Sequence, residues 1–299
     1  MKSVMLIDGN SLLYRAHFAL SEADMRTSGG QPTGAIYGFL TMLINLIRDH
    51  NPEGIAVAFD LPTPTFRHEK VGTYKAGRAE TPDDLLQQFD IVKETLEVLG
   101  IQSIAIPGYE ADDILATYAA KAKKENISSI IVTGDRDSYQ LVSDPFVKVL
   151  YNRRGVSDYV LYDEDGIRER TGVAPSDYVT YAALRGDKSD NLPGVPGVGE
   201  KTAAKLVNEY GTMDEIFDAA DKQTPKLRSN LEDNEQLARL NVELMTLVDD
   251  VPTDVTLDDL KPKSPQTTDI KNLFERLELR TLYQRLGEVF EGEFEKGEE

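Results

Sequence analysis

Val4-Met5-Leu6-Ile7 is an apolar run without alternation, closed at once by Asp8. A short continuous run of this kind suits a strand buried on both faces. Two more follow: Ile55-Ala56-Val57-Ala58-Phe59 before Asp60, and Ser129-Ile130-Ile131-Val132 before Thr133-Gly134-Asp135. Ile101 to Ile106 is a fourth candidate, leading through Pro107-Gly108 to Tyr109-Glu110. Helical stretches separate the runs. Thr81-Pro82-Asp83-Asp84 carries a capping hydroxyl, a proline and first-turn acids, and Leu85, Phe89, Val92, Leu96 and Leu99 then recur at helical spacing before Gly100. Residues 110–124 read as another helix. Strands alternating with helices predict an α/β fold with a mainly parallel central sheet flanked by helices. From about residue 175 the chain reads as mostly helical, broken at 193–199 by Gly and Pro, and 291–299 as an acidic tail or linker stub.

The 299 residues carry a formal net charge of −19, no cysteine and three histidines. Disulfides, thiol nucleophiles and cysteine-rich zinc sites are excluded, so a metal would be held by oxygen. No apolar run reaches the roughly 20 residues that span a bilayer, and the start turns polar too early for a signal peptide. A cytoplasmic protein is expected. The acid excess argues against a nucleic-acid partner unless the basic residues cluster.

Ligands of open parallel sheets bind beyond the carboxyl ends of the strands, where Asp8, Asp60 and Asp135 would project. Glu110-Ala111-Asp112-Asp113 follows the fourth run, Asp137 shares a loop with Asp135, and Asp187 and Asp190 form a later pair. A single strand-end aspartate is more often a helix cap than a ligand. Several together would repel one another, and divalent cations held by oxygen, Mg²⁺ or Mn²⁺, resolve that conflict. Two such ions can hydrolyse a phosphodiester.

Residues 67–78 bring Arg67, Lys70, Lys75 and Arg78 against Glu69 alone, with Tyr74 among them. The bland reading is a solvated basic face; following Asp60 directly, the segment instead suits phosphate neutralisation and base stacking. Leu192 to Leu206, Leu-Pro-Gly-Val-Pro-Gly-Val-Gly-Glu-Lys-Thr-Ala-Ala-Lys-Leu, lacks the P-loop gap before Gly-Lys-Thr. It fits a helix–hairpin–helix, whose glycines let backbone N–H groups approach an anion without reading bases.

These motifs together resemble the bacterial 5′-nuclease (flap endonuclease) family, most closely the N-terminal 5′→3′ exonuclease domain of DNA polymerase I. The matching pieces are residues 6–20, 56–78, 109–119, 133–142 and 184–207, in family order. The resemblance implies a PIN-like 5′-nuclease core over 1–175, a helical arch over 67–100, and a helical DNA-binding region over 176–290 with its hairpin at 192–207. It implies one metal group from Asp8, Asp60, Glu110 and Asp112 and another from Asp113, Asp135, Asp137, Asp187 and Asp190. Lys75 and Arg78 match basic residues at the scissile phosphate, and Tyr74 an aromatic that stacks on substrate. Arg67 and Lys70 match arch positions, and Gly194, Gly197, Gly199, Lys201 and Thr202 the duplex-holding hairpin with its K⁺ ion. The implied partners are DNA with a free 5′ end or flap, RNA primer–DNA, and a polymerase domain in the native chain. A monomer in the bacterial cytoplasm, at the nucleoid, working in replication and repair, is the corresponding expectation. Two rivals stand beside it. A haloacid-dehalogenase-type phosphatase wants Asp-x-Asp where this chain has Asp8-Gly9-Asn10, and a non-catalytic DNA-binding paralogue would not need the intact carboxylates.

Overall fold

A computed structural model describes residues 1–265 and 267–290. Strands β1 (Ser3–Asp8), β2 (Gly54–Ala58), β3 (Gln102–Ile104), β4 (Ser128–Thr133), β5 (Val147–Arg154) and β6 (Asp158–Tyr162) form one sheet in the order β3-β2-β1-β4-β5-β6. All neighbours are parallel except β6, which returns antiparallel to β5. The apolar runs lack alternation because both faces are covered. Met5 and Ile7 of β1 enter one core with Ile55 and Val57, while Val4 and Leu6 enter the other with Ala56, Ala58 and Ile131. β3 takes only Gln102–Ile104 of the run 101–106.

The first core takes α1 (Gly9–Leu20), α2 (Gly34–His50) and, beyond the short α3 (Phe66–Lys70), α4 (Asp83–Val98). The second takes α5 (Ala111–Lys124), and after α6 (Glu164–Thr171) also α7 (Tyr178–Arg185), α8 (Glu200–Tyr210), α9 (Met213–Asp218) and α10 (Pro225–Met245). Two expected boundaries need correction. α4 cannot belong to an arch over 67–100, since Leu85, Val92 and Leu96 are buried in the sheet core. Nor do residues 176–290 pack as one unit. α11 (Thr267–Arg276) and α12 (Arg280–Val289) cross back to α4 and α2, seating Phe274, Leu282 and Leu286 in the first core. Burying each such side chain contributes about 1.5–3 kcal/mol. The tail at 291–299 lies outside the described residues.

A two-residue ribbon, β7 (Gly186–Asp187) against β8 (Leu192–Pro193), closes the loop that carries Asp187 and Asp190. At its neck Gly186 has φ +79° and lies against Gly194. A Cβ on Gly186 would meet the Gly194 nitrogen at 2.2 Å, and one on Gly194 the Arg185 carbonyl oxygen at 2.1 Å.

Candidate active site

The chain leaves β1 toward β2 on one side and β4 on the other, so the strand order reverses beside β1, where a crevice opens. Asp8, Asp60, Glu110, Asp112 and Asp135 line one hollow there, of about 640 Å³. Asp8, Asp60 and Asp135 are held by backbone or side-chain donors that fix their direction. Asp8 Oδ1 accepts from Ser11 N at 2.9 Å, capping α1, and Oδ2 accepts from the Thr133 hydroxyl at 2.8 Å across the β1–β4 gap. Asp60 Oδ1 accepts from Ala111 N at 2.8 Å, and Asp135 Oδ1 from Asp137 N at 2.9 Å. The capping and ligand readings of a strand-end aspartate are therefore compatible: capping engages one oxygen and leaves the rest of the carboxylate facing the hollow.

Negative charge is left uncompensated in this wall. Burial, with Asp60 and Asp135 nearby, pushes Asp8 up to about 7 against the opposing pull of its hydrogen bonds. Burial and then the charges of Asp8, Asp135 and Asp60 push Asp112 well above the usual carboxylate range. Burial and then Asp135, Asp190 and Asp187 do the same to Asp137, and burial raises Asp135. Asp112 Oδ1 is buried without a hydrogen-bond partner among the described residues. Such a group costs about 1–3 kcal/mol or more. An oxygen-only donor set with surplus charge and an orphaned oxygen fits a hard divalent cation. Among the described residues, no three His, Asp or Glu side chains already converge as a preformed metal centre. The charge is gathered; the final ligand geometry is not.

The opposite wall is neutralised by the chain's own cations. Lys75 Nζ donates to Glu110 Oε1 at 2.9 Å, and Arg78 pairs with Asp190. Glu110 and Asp190 raise Lys75 despite the opposing effect of burial. Lys75 adopts left-handed backbone, φ 55°, and its N–H donates to the Asp190 carbonyl at 2.9 Å, so the basic segment is clasped to the later loop. Non-glycine residues rarely hold that conformation unless their surroundings fix it.

Several expected roles do not survive this packing. Arg67 is 1% exposed, donates to both Asp113 oxygens at 2.7 Å, and reaches the carbonyls of Leu244 and Thr246; it cannot meet DNA as an arch residue. Asp113 is equally unsuited to a metal, because Arg67 and the N–H groups of Glu110 and Val248 occupy both its oxygens. Tyr74, 4% exposed, does not offer its ring for stacking; its hydroxyl donates to Asp190 at 2.9 Å and Glu110 at 3.1 Å. Lys70 is exposed but pairs with Glu243, on α10. At Gly194 the Arg185 carbonyl leaves no room for a side chain. Gly197 at φ +79° turns the hairpin, Gly199 faces open space before α8, and Lys201 is exposed beside half-buried Thr202.

Asn10, Ser11, Tyr14, Arg15 and Phe18 also line the hollow and were not anticipated. Their signal lay in the sequence: α1 begins directly after Asp8, and positions 11, 14–15 and 18 share one helix face.

The model of the 5′-3′ exonuclease N-terminal resolvase-like domain matches residues 3–172, and that of the 5′-3′ exonuclease C-terminal SAM fold matches 173–268. DNA polymerase I of Mycobacterium tuberculosis is 48% identical over 284 residues, covering 95% of this chain and 31% of the relative. Thermostable DNA polymerase I of Thermus thermophilus is 40% identical over 289 residues, covering 95% and 33%. The chain thus spans about a third of the curated relatives it matches. Among solved structures, the bacteriophage T5 flap endonuclease in a pseudo-enzyme–product complex with DNA and metal ions aligns with TM-score 0.67 at 21% identity, covering 97% of this chain and 100% of that one. The catalytic core of Rad2 with DNA substrate aligns with TM-score 0.62 at 19% identity, covering 97% and 91%. At such identities these two likenesses speak for the fold, a mostly parallel sheet flanked by helices.

Proposed function

Because this chain belongs to the 5′-3′ exonuclease family, we propose that it is a structure-specific 5′-nuclease, hydrolysing DNA phosphodiesters as a 5′→3′ exonuclease and 5′-flap endonuclease. One observation carries the reading: at the sheet's switch point, uncompensated Asp8, Asp60, Asp112 and Asp135 face Lys75 and Arg78 across a single hollow. Asp8, Asp60, Asp112 and Asp135 would hold Mg²⁺ or Mn²⁺ there, with Glu110 joining on release from Lys75. Asp137, Asp187 and Asp190 supply carboxylates beside Asp135 for a second ion. Bound divalent ions supply Lewis-acid activation of water and charge neutralisation at phosphorus and the leaving oxygen.

The chain's own residues do the rest. Lys75 and Arg78 neutralise charge that grows on the phosphate in the transition state. Asn10, whose Oδ1 accepts from Asp60 N at 3.0 Å, and Thr133 keep the carboxylates aimed. The hairpin offers the open backbone at Gly199 and the Lys201 cation to duplex phosphates, with K⁺ as a shared counter-ion. Selection would follow shape, a free 5′ end or a nick, and not base sequence. Primer removal and repair beside a polymerase domain, by a monomer at the bacterial nucleoid, is the corresponding setting. Residues 1–290 are read as a sheet core that includes α11 and α12, with the DNA-holding region confined to α7–α10. Digestion of a 5′-labelled flap duplex with Mg²⁺, Mn²⁺ or EDTA tests the proposal. Short 5′-phosphorylated products with either metal and none with EDTA are expected. Binding without cleavage in any metal would instead identify a non-catalytic DNA-binding paralogue.

A further inference from the structure

Arg136 and Arg185 converge on one carboxylate. Arg136 stands in the loop between Asp135 and Asp137, and Arg185 ends α7, directly before the ribbon that carries Asp187. Glu200 opens α8, beyond the hairpin turn. Its Oε1 receives Arg136 Nη1 at 3.3 Å and lies 3.9 Å from Arg185 Nη1, so three segments distant in sequence meet at one oxygen. Two cations there face a single anion. Arg185 is held in place: its side chain is 15% exposed, its Nε donates to the Gly186 carbonyl at 3.1 Å, and its guanidinium lies 5.3 Å from the centre of the Tyr181 ring. Glu200, at 56%, is not so confined. An exposed carboxylate engaged through one oxygen is weakly held, whereas two guanidinium forks match the several oxygens of a phosphate.

We propose that Arg136 and Arg185 form a phosphate site between the Asp135–Asp137 loop and the hairpin. Glu200 fills it in the free protein, and a backbone phosphate of duplex DNA displaces Glu200 on binding. The site rests on the nuclease reading for its ligand, yet it is measured by binding in EDTA, apart from cleavage. A flap duplex is titrated with the full chain by fluorescence anisotropy over a range of KCl. Arg136→Gln combined with Arg185→Gln should weaken binding about tenfold and lower the slope of log affinity against log salt by about one. Glu200→Gln, at an exposed position, leaves the core untouched. It should tighten binding about two- to fivefold, and that gain should vanish in the arginine double variant. Single methylphosphonates placed along the duplex should identify one position that weakens wild type and leaves the double variant unaffected. An unchanged salt slope, a Glu200→Gln gain that persists without the arginines, or the lack of such a position would overturn the site. Binding that meets all three expectations without cleavage in any metal would leave the site standing and remove the nuclease reading.

Discussion

Two walls of one hollow solve the same electrostatic problem differently. Glu110 receives Lys75 and the Tyr74 hydroxyl, while Asp113 and Asp190, outside the hollow's lining, receive Arg67 and Arg78, all from residues 67–78. Asp8, Asp60 and Asp135 receive only backbone N–H groups and one threonine hydroxyl, and Asp112 Oδ1 has no partner among the described residues. The first wall is complete as folded; the second is complete only with charge from outside. The contrast separates carboxylates already paired within the fold from those left for an ion, which Glu110 and Asp190 join only on release from Lys75 and Arg78.

The largest effect should come from the second wall. Asp112→Asn keeps the shape and removes a charge, so flap cleavage should fall by more than about 10⁴-fold while the metal-free protein melts at a higher temperature at pH 8. A lower melting temperature would mean that Asp112 is compensated after all. The first wall should respond in the opposite sense. Asp113→Ala strands the buried Arg67 guanidinium and should cost about 3–5 kcal/mol in urea unfolding; a loss under 1 kcal/mol would remove the distinction. Third comes pH. Asp8 titrates near 7 in the folded chain against 3.8 when unperturbed. Its contribution to metal-free stability is therefore fully present below about pH 4 and is lost as pH rises through about 7, on the order of a few kcal/mol. Mg²⁺ should raise the melting temperature more at pH 8 than at pH 5, and an equal rise at both would count against the ligand assignment. The smallest effect belongs to Lys70→Ala. Its pair with Glu243 is exposed, so stability should change by less than about 1 kcal/mol.

The strand-end acids were legible because a period-free apolar run fixes where a buried strand stops, and Asp8, Asp60 and Asp135 stand at those stops. α4 was legible from its apolar spacing, although Pro82 and not Thr81 stands at its N-cap and no side chain caps it. The basic segment was not, because nothing local distinguishes a cation that faces solvent from one that turns inward. Arg67 is drawn in by Asp113, with Leu244 and Thr246 far along the chain, and Tyr74 by Asp190. α11 and α12 escaped for a similar reason: their amphipathic faces declare burial but not the surface they cover. The face of α1 that supplies Tyr14 and Phe18 could have been read from spacing alone.

The neck where Gly186 and Gly194 touch leaves no room to flex or lengthen. On one side of it hang Asp187 and Asp190, on the other the turn that leads into α8. A double helix seated on that turn would be presented to the carboxylates at a set stand-off, as a workpiece is by a jig. The position of the cut would then be measured from the duplex end by anatomy, and an Ala at either glycine should blur it.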